Sequence, residues 1–224
     1  MPRCPTWIAI VWKWMKSGVL SERKERHVRS GDDPQFGNVW TFRAIDADTK
    51  LVPAFRVGSD RDVRTAWAFM LDVADRMKNR VQISRDGLRA YVEAIDWALS
   101  GNVEYGQIVK VYATEESVEA QRPYSAPTIS SSEKKVIFGW PNFDLISTSY
   151  VERLNATTRL HMKRLARLTH AFSKKRENFE AAVGLHFAYY NFVRPHNTLR
   201  CTPAIAAGIT QSFWAVGDLL EAAG

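Results

Sequence analysis

Cysteine is nearly absent from this chain: of 224 residues only Cys4 and Cys201 are cysteines, and they form no Cys-x-x-Cys pair. That excludes a zinc knuckle and a disulfide-stapled scaffold, and it fits a reduced, cytoplasmic setting. No apolar run approaches the roughly 18 residues that a membrane span needs, so no membrane partner is expected. The opening MPRCPTWIAIVWKWMKSG carries an apolar patch after one arginine, but it is short, holds Lys13 and Lys16, and has no small-residue cleavage site. It does not read as a signal peptide. There is no internal repeat and no low-complexity tract. Acidic residues are missing from two stretches, with none before Glu22 and none from Arg153 to Arg176.

What is present is a globular composition, 46% hydrophobic, long enough for one large domain with a sizeable core. Lys plus Arg is 31 and Asp plus Glu is 24, a net +7. Spread over this length, that is a modest pointer to anionic partners. The stronger pointer is local. Arg153, Arg159, Lys163, Arg164, Arg167, Lys174, Lys175 and Arg176 make eight cations with no acid among them.

Thr6–Met15 is aromatic and β-branched and reads as a strand, followed by a charged, turn-rich loop over Val19–Gly37. Asn38–Asp46 reads as a second strand, Asp48-Thr49-Lys50 as a turn, and Leu51–Val57 as a third strand in which Pro53 marks an edge or bulge. Asp62–Lys78 has helical periodicity, with Ala66, Phe69, Met70, Val73 and Met77 facing inward. Val81–Ser84 is a short buried strand, Leu88–Leu99 a helix and Tyr105–Tyr112 a fifth strand. Ala113–Phe143, rich in Ser, Pro and Glu, reads as a mobile loop. Ser147–His170 reads as one long helix, and a further helix opens at Ser173 or Lys174 and runs through Asn191. A turn over FVRPHNTLRCTPA, a helical piece at Pro203–Gly208 and a short amphipathic tail close the chain. The order β-β-β-α-β-α-β-α predicts an α/β fold: a ribonuclease-H-like mixed sheet flanked by helices, with a helical C-terminal extension.

On the long predicted helix, Tyr150, Val151, Leu154, Met162, Leu165 and Leu168 share a core-facing stripe, while Glu152, Arg159 and Lys163 share another well away from it. A lone carboxylate beside cations can hold a metal ion and a phosphate backbone together. It can equally be a solvated face of ion pairs. Asp86 follows the strand VQIS and precedes Gly87. Ligands of open α/β sheets collect at such carboxyl ends, and an Asp there can also cap the helix that follows.

The segments VWTFRAIDADTKL, SRDGLRAY, STSYVERLN and LTHAFSKKRENFEAAVGLHFAYYNFVRPHNTLRCTPA, in that order, resemble the DDE-superfamily transposases of bacterial insertion sequences, in particular the insertion-sequence-one type. The resemblance covers roughly Asn38–Gly208. It implies a catalytic core whose Asp, Asp and Glu bind two Mg²⁺ ions, with Mn²⁺ as a substitute. Asp86 matches the second Asp and Glu152 the Glu. Hard divalent cations take oxygen ligands, and a pair of them activates the attacking oxygen and stabilises the leaving oxygen of an in-line displacement at phosphorus. Arg153, Arg159, Lys163 and Arg164 would then contact DNA phosphates.

The first acid is the departure. The family carries it on the first strand, where Ala9 and Ile10 stand here. Asp46 and Asp48 are the nearest alternatives, with Asp46 read as a substitute metal ligand or, alternatively, as the residue that bonds the IDADTK turn. Arg85 stands where a small or hydroxyl residue is expected. His196 and Asn197 in RPHNTLR read as a brace for the helix carrying Glu152, and Tyr189, Tyr190 and Phe192 as core packing. The resulting division is an atypical N-terminal strand and charged loop at 1–37, a catalytic core at 38–208 and a tail at 209–224. Residues 1–37 are expected to be a truncated or frame-shifted start, because no zinc-ribbon or helix-turn-helix region precedes the core. The expected activity is metal-dependent DNA strand cleavage and transfer on element ends and target DNA, by a chain that forms homo-oligomers. The alternatives are an inactive DNA-binding remnant on the same fold and a ribonuclease-H-like nuclease.

Overall fold

Hydrogen-bonded strands form the centre of the computed structural model: β1 (Trp7–Ile10), β2 (Trp40–Asp46), β3 (Phe55–Gly58), β4 (Val81–Asp86), β5 (Val103–Tyr112) and β6 (Ile129–Phe138). They make one six-stranded mixed sheet in the order β3-β2-β1-β4-β5-β6. β2 is antiparallel to β1 and β3, β4 is parallel to β1 and β5, and β6 is antiparallel to β5. Helices α1 (Val63–Asp75), α2 (Ala90–Leu99), α3 (Ser149–His161), α4 (Arg176–Ala188), α5 (Pro203–Ala206) and α6 (Val216–Glu221) complete an α/β fold. The structure describes residues 7–10, 39–59, 62–77, 79–86, 90–112, 129–165, 171, 173 and 175–223.

Alternation along the strands divides the core in two. Phe42, Ala44, Val81, Ile83, Val103 and Tyr105 face α1 and α2, meeting Ala66, Phe69, Met70, Val73, Ala94 and Ile95. Val39, Ile45 and Val57 turn to the other face and meet Val151 and Leu154 of α3 and Phe179, Val183 and Phe187 of α4. Burying each such side chain contributes about 1.5–3 kcal/mol. Helix α1 begins where expected because Asp62 accepts a hydrogen bond from the Thr65 N–H (2.8 Å), satisfying an otherwise unpaired first-turn donor.

Three expectations need correction. The stretch read as a mobile loop over 113–143 contains strand β6; residues 113–128 lie outside the described residues. β6 was illegible because it is an edge strand exposed along most of its length, so no hydrophobic alternation marks it. Its Glu133, Lys134 and Lys135 are the charges that discourage edge-to-edge pairing. The single helix over 147–170 ends at His161, where Met162 turns extended (φ −105°, ψ 98°), and a one-turn 3₁₀ helix follows at Lys163–Leu165. No Gly or Pro marks that stop; the break lets both Met162 and Leu165 stay buried. Tyr150 lies on the surface rather than in the core stripe, with the Lys50 ammonium 4.1 Å from its ring centre. Leu168 lies outside the described residues.

The third strand begins late, at Phe55, although the Leu51 and Ala54 carbonyls already accept from Asp46 and Ala44 (2.8 and 3.0 Å). It is an edge strand, as Pro53 indicates. Of the first predicted strand, Trp7–Ile10 is formed, and it is central: β1 lies between β2 and β4. The sheet therefore crosses the boundary expected at residue 37. The charged loop over Val19–Gly37 lies outside the described residues.

Candidate active site

Asp86 lies at the carboxyl end of β4, and Glu152 in the first turn of α3. Asp86 ends β4 on the side of Ser84 and Gln82, opposite the face that Val81 and Ile83 give to α1 and α2. Its partner on β5 is Ile108. Two residues further on, Lys110 reaches across to α3, where its ammonium donates to Glu152 Oε1 at 2.5 Å. The Thr148 hydroxyl donates to the same oxygen at 3.2 Å instead of capping the helix. Alternation along β4 thus assigns Asp86 to the sheet face that α3 covers, while its Oδ1 lies 3.6 Å from Arg85; Lys110 is bonded to Glu152.

The placement of Glu152 follows from how the chain before α3 docks. Gln82 grips Asn142 through both amide atoms, donating to its carbonyl (3.1 Å) and accepting from its N–H (2.7 Å). Asn142 in turn caps the 3₁₀ turn Phe143–Leu145, accepting from Asp144 N–H at 3.0 Å. Ile146, 1% exposed, then packs onto the backbone of Gly106 in β5. Any side chain at 106 would occupy that space. Three residues of contact therefore fix where Thr148 and Glu152 begin the helix.

Asp86 has a cation of its own. The Arg85 side chain is fully buried on the α1–α2 face, lies close to the Tyr105 hydroxyl, and is 3.6 Å from Asp86 Oδ1. Burial pushes the Tyr105 hydroxyl pKa up, while Arg85 works against that shift. The segment where Asp86 could cap α2, residues 87–89, lies outside the described residues.

Asp46 goes elsewhere. It alternates with Ile45, so it belongs to the side of Ala44 and Phe42, the face opposite Asp86 and Glu152. Its carboxylate accepts from the Asp48 N–H (3.1 Å) and the Thr49 hydroxyl (2.5 Å), the turn-bonding role its motif offers. Burial raises its pKa, against those hydrogen bonds. The place where the resemblance leads one to expect a first acid is Ala9. Ala9 pairs with Ser84, two residues before Asp86, so that position adjoins the carboxylate pair without supplying a third. Among the described residues no three His, Cys, Asp or Glu side chains gather into a metal-binding group.

The four expected phosphate contacts do not form one stripe. Arg153 faces Lys50 and His196, depressing the pKa of both after burial has done so. Arg159 lies close to buried Arg43. Lys163 and Arg164 belong to the 3₁₀ turn beyond the helix break, where Arg164 donates to the Ser173 hydroxyl at 2.5 Å. Helical spacing therefore no longer places Lys163 beside Glu152.

The C-terminal motif braces the site. α4 continues as a π-helix over Tyr189–Val193, whose Asn191 pairs with both the N–H (3.0 Å) and carbonyl (2.9 Å) of Val52. Arg194 donates onto the ring of His161 at the end of α3 (2.9 Å to Nδ1), the bracing role expected of this segment. Tyr190 is buried and Phe192 packs on Trp214 (4.6 Å), but Tyr189 is largely exposed. Sequence reading missed Lys110, Arg43 and the Gln82–Asn142 clamp. A lysine in an otherwise apolar strand, YGQIVKVY, was the one available signal. No protein-family model matches the chain, and no curated protein matches it either. No described helix is long and apolar enough to cross a membrane.

Proposed function

We propose that the chain is a DDE-type insertion-sequence transposase on a ribonuclease-H-like fold, cutting and rejoining DNA phosphodiesters. The observation that carries the reading is that alternation along β4 assigns Asp86, at the strand's carboxyl end, to the sheet face covered by α3, whose first turn carries Glu152. The strand order β3-β2-β1-β4-β5, with only β2 antiparallel to its neighbours, supports the fold assignment. Two carboxylate oxygens on one face fit one hard divalent ion. A second ion needs a third acid, which the described residues do not provide. Mg²⁺ or Mn²⁺, when bound by Asp86 and Glu152, supplies positive charge to the phosphate under attack.

The chain's own groups do the rest. Lys110 neutralises Glu152 and offers an ammonium to a phosphate oxygen. Arg153, Arg159, Lys163 and Arg164 supply cations around α3 for the DNA backbone. The test is strand cleavage and joining, with Mg²⁺ or Mn²⁺, on the DNA that flanks the chain's own coding sequence, comparing the parent with Glu152→Gln. Loss of cleavage with retained DNA binding in the variant supports the reading; equal cleavage by both sinks it.

A second reading, an inactive DNA-binding remnant on the same fold, is favoured by one observation: both motif acids carry a cation, Arg85 at 3.6 Å from Asp86 and Lys110 at 2.5 Å from Glu152. Binding without cleavage by the parent selects it. Cleavage without joining selects a nuclease.

A further inference from the structure

We infer that the C-terminal ends of α3 and α4 form an oxyanion seat for a phosphate group, separate from the Asp86–Glu152 site and independent of its catalytic reading. Arg43 forms the floor. It rises from β2 between the two helices, 1% exposed, donates through Nη1 to the Thr158 hydroxyl at 3.1 Å, and lies over the Phe187 ring at 5.8 Å. Its Nη2 is buried with no hydrogen-bond partner, and so is Nε2 of His186 on α4. His161 and His186 face each other at 6.2 Å between ring centres, and Arg194 donates onto His161 from the segment after the π-helix.

These groups run from the interior to the surface: Arg43 is fully buried, His186 and Arg194 are half-buried and His161 is exposed. Arg43, His161 and Arg194 all bear electrostatically on His186, and among the described residues no carboxylate acts on Arg43, His161 or His186. Helix C-termini do attract cations, but only α3 ends here, since α4 runs on into the π-helix, and one such end offers only about half a negative charge. Arg43 and Arg194 bring two full positive charges before either imidazole is protonated. An unpaired buried guanidinium nitrogen is costly, and an oxyanion supplies the acceptor that Arg43 Nη2 and His186 Nε2 lack among the described residues. The shared chemistry is the phosphate oxyanion, whether free or in a nucleic-acid backbone.

The test is a titration of the full chain with inorganic phosphate in low-salt buffer, following the His161 and His186 ring signals by NMR. Saturable shifts of both are expected. Arg194→Ala, a half-buried change that leaves the core intact, should weaken binding roughly tenfold, the share of one charge-assisted contact. Arg43→Met should abolish binding while the chain stays folded, and Lys135→Ala on the far edge strand should bind as the parent does. Absence of saturable shifts, or equal binding by the parent, Arg194→Ala and Arg43→Met, overturns the seat. A short single-stranded oligonucleotide then identifies the source. Displacement of phosphate shows that the seat takes backbone phosphodiesters, and phosphate binding that the oligonucleotide leaves intact shows that it takes the free anion.

Discussion

Gly106→Ala tests how Glu152 is held in place. Gly106 lies inside β5 with no positive φ, so alanine fits its backbone conformation. On that ground alone the change should stabilise the protein by about 0.4–1 kcal/mol, by restricting the unfolded chain. Packing opposes it. A Cβ at 106 would lie 2.5 Å from Ile146 Cδ1 and 2.7 Å from Cγ1, far inside van der Waals contact. Ile146 is 1% exposed, so its side chain has no open space to swing into. Overpacking of this kind costs about 1–3 kcal/mol, so the net expectation is a loss of about 1–2 kcal/mol, or roughly 2–8 °C in Tm for a domain of this size. Ile146→Ala alone should cost about 2–5 kcal/mol by leaving a cavity. In the double variant the new methyl enters the vacated space, so the two losses should fall short of additivity by about 1 kcal/mol or more. Urea unfolding of the parent, both single variants and the double variant measures all terms. A Gly106→Ala protein as stable as the parent, or strictly additive losses, would refute the claim that Ile146 seats on bare backbone and thereby positions α3.

Asn191→Ala should cost about 2–4 kcal/mol in urea unfolding, because it strips the partners from both the N–H and the carbonyl of Val52; a loss under about 0.5 kcal/mol would mean that solvent replaces them. Burial, helped by His161, Arg43 and Arg194, lowers the His186 pKa from 6.5 to about 4. Between those values the unfolded chain binds a proton that the folded one does not, so stability should drop as pH falls through that window, by at most about 3 kcal/mol, and His186→Gln should flatten the drop. Ala9→Asp places an acid two register positions before Asp86 on the neighbouring strand. It should strengthen Mn²⁺ binding in calorimetry at least about tenfold if the site is a two-carboxylate remnant of a three-carboxylate one, and unchanged binding would count against that site.

Most of the fold was legible because its strongest signals are periodic. Helix α1 and strands β2, β4 and β5 follow hydrophobic spacing, and Asp62 and Pro53 mark a helix start and an edge as their chemistry predicts. The failures have physical causes. β6 buries little, so nothing in its sequence alternates. The break after His161 is driven by tertiary burial of Met162 and Leu165, with no local stop residue to announce it. At the candidate site, Asp86 and Glu152 were nominated by motif order, and Arg85 beside Asp86 was visible as a neighbour in sequence. Lys110 was not, since it lies 42 residues from Glu152 in sequence, and the two meet only when β5 and α3 dock. Arg43 was hidden for the same reason: a charged residue inside a strand reads as solvent-facing until the helix covering it is placed.

The two cations at the site are not equivalent: one is fixed by the core and the other is free to move. Lys110 and Glu152 are partly exposed, 21% and 36%. A pair of that kind is worth about 0–1 kcal/mol, so a divalent ion or a phosphate can replace the ammonium at little cost. Lys110 then becomes free to follow the negative charge, which makes it a counter-ion that exchanges rather than a lock. Arg85 is 0% exposed and anchored beside Tyr105. Its partner is not buried with it: the Asp86 side chain is 41% exposed and 3.6 Å away, so this half-solvated pair is worth little more than a surface one. Both acids are therefore open to a ligand, Glu152 beside a lysine that can move away and Asp86 beside a guanidinium that the core holds still. Arg85 is thus a fixed positive charge beside Asp86, and Lys110 an exchangeable one beside Glu152.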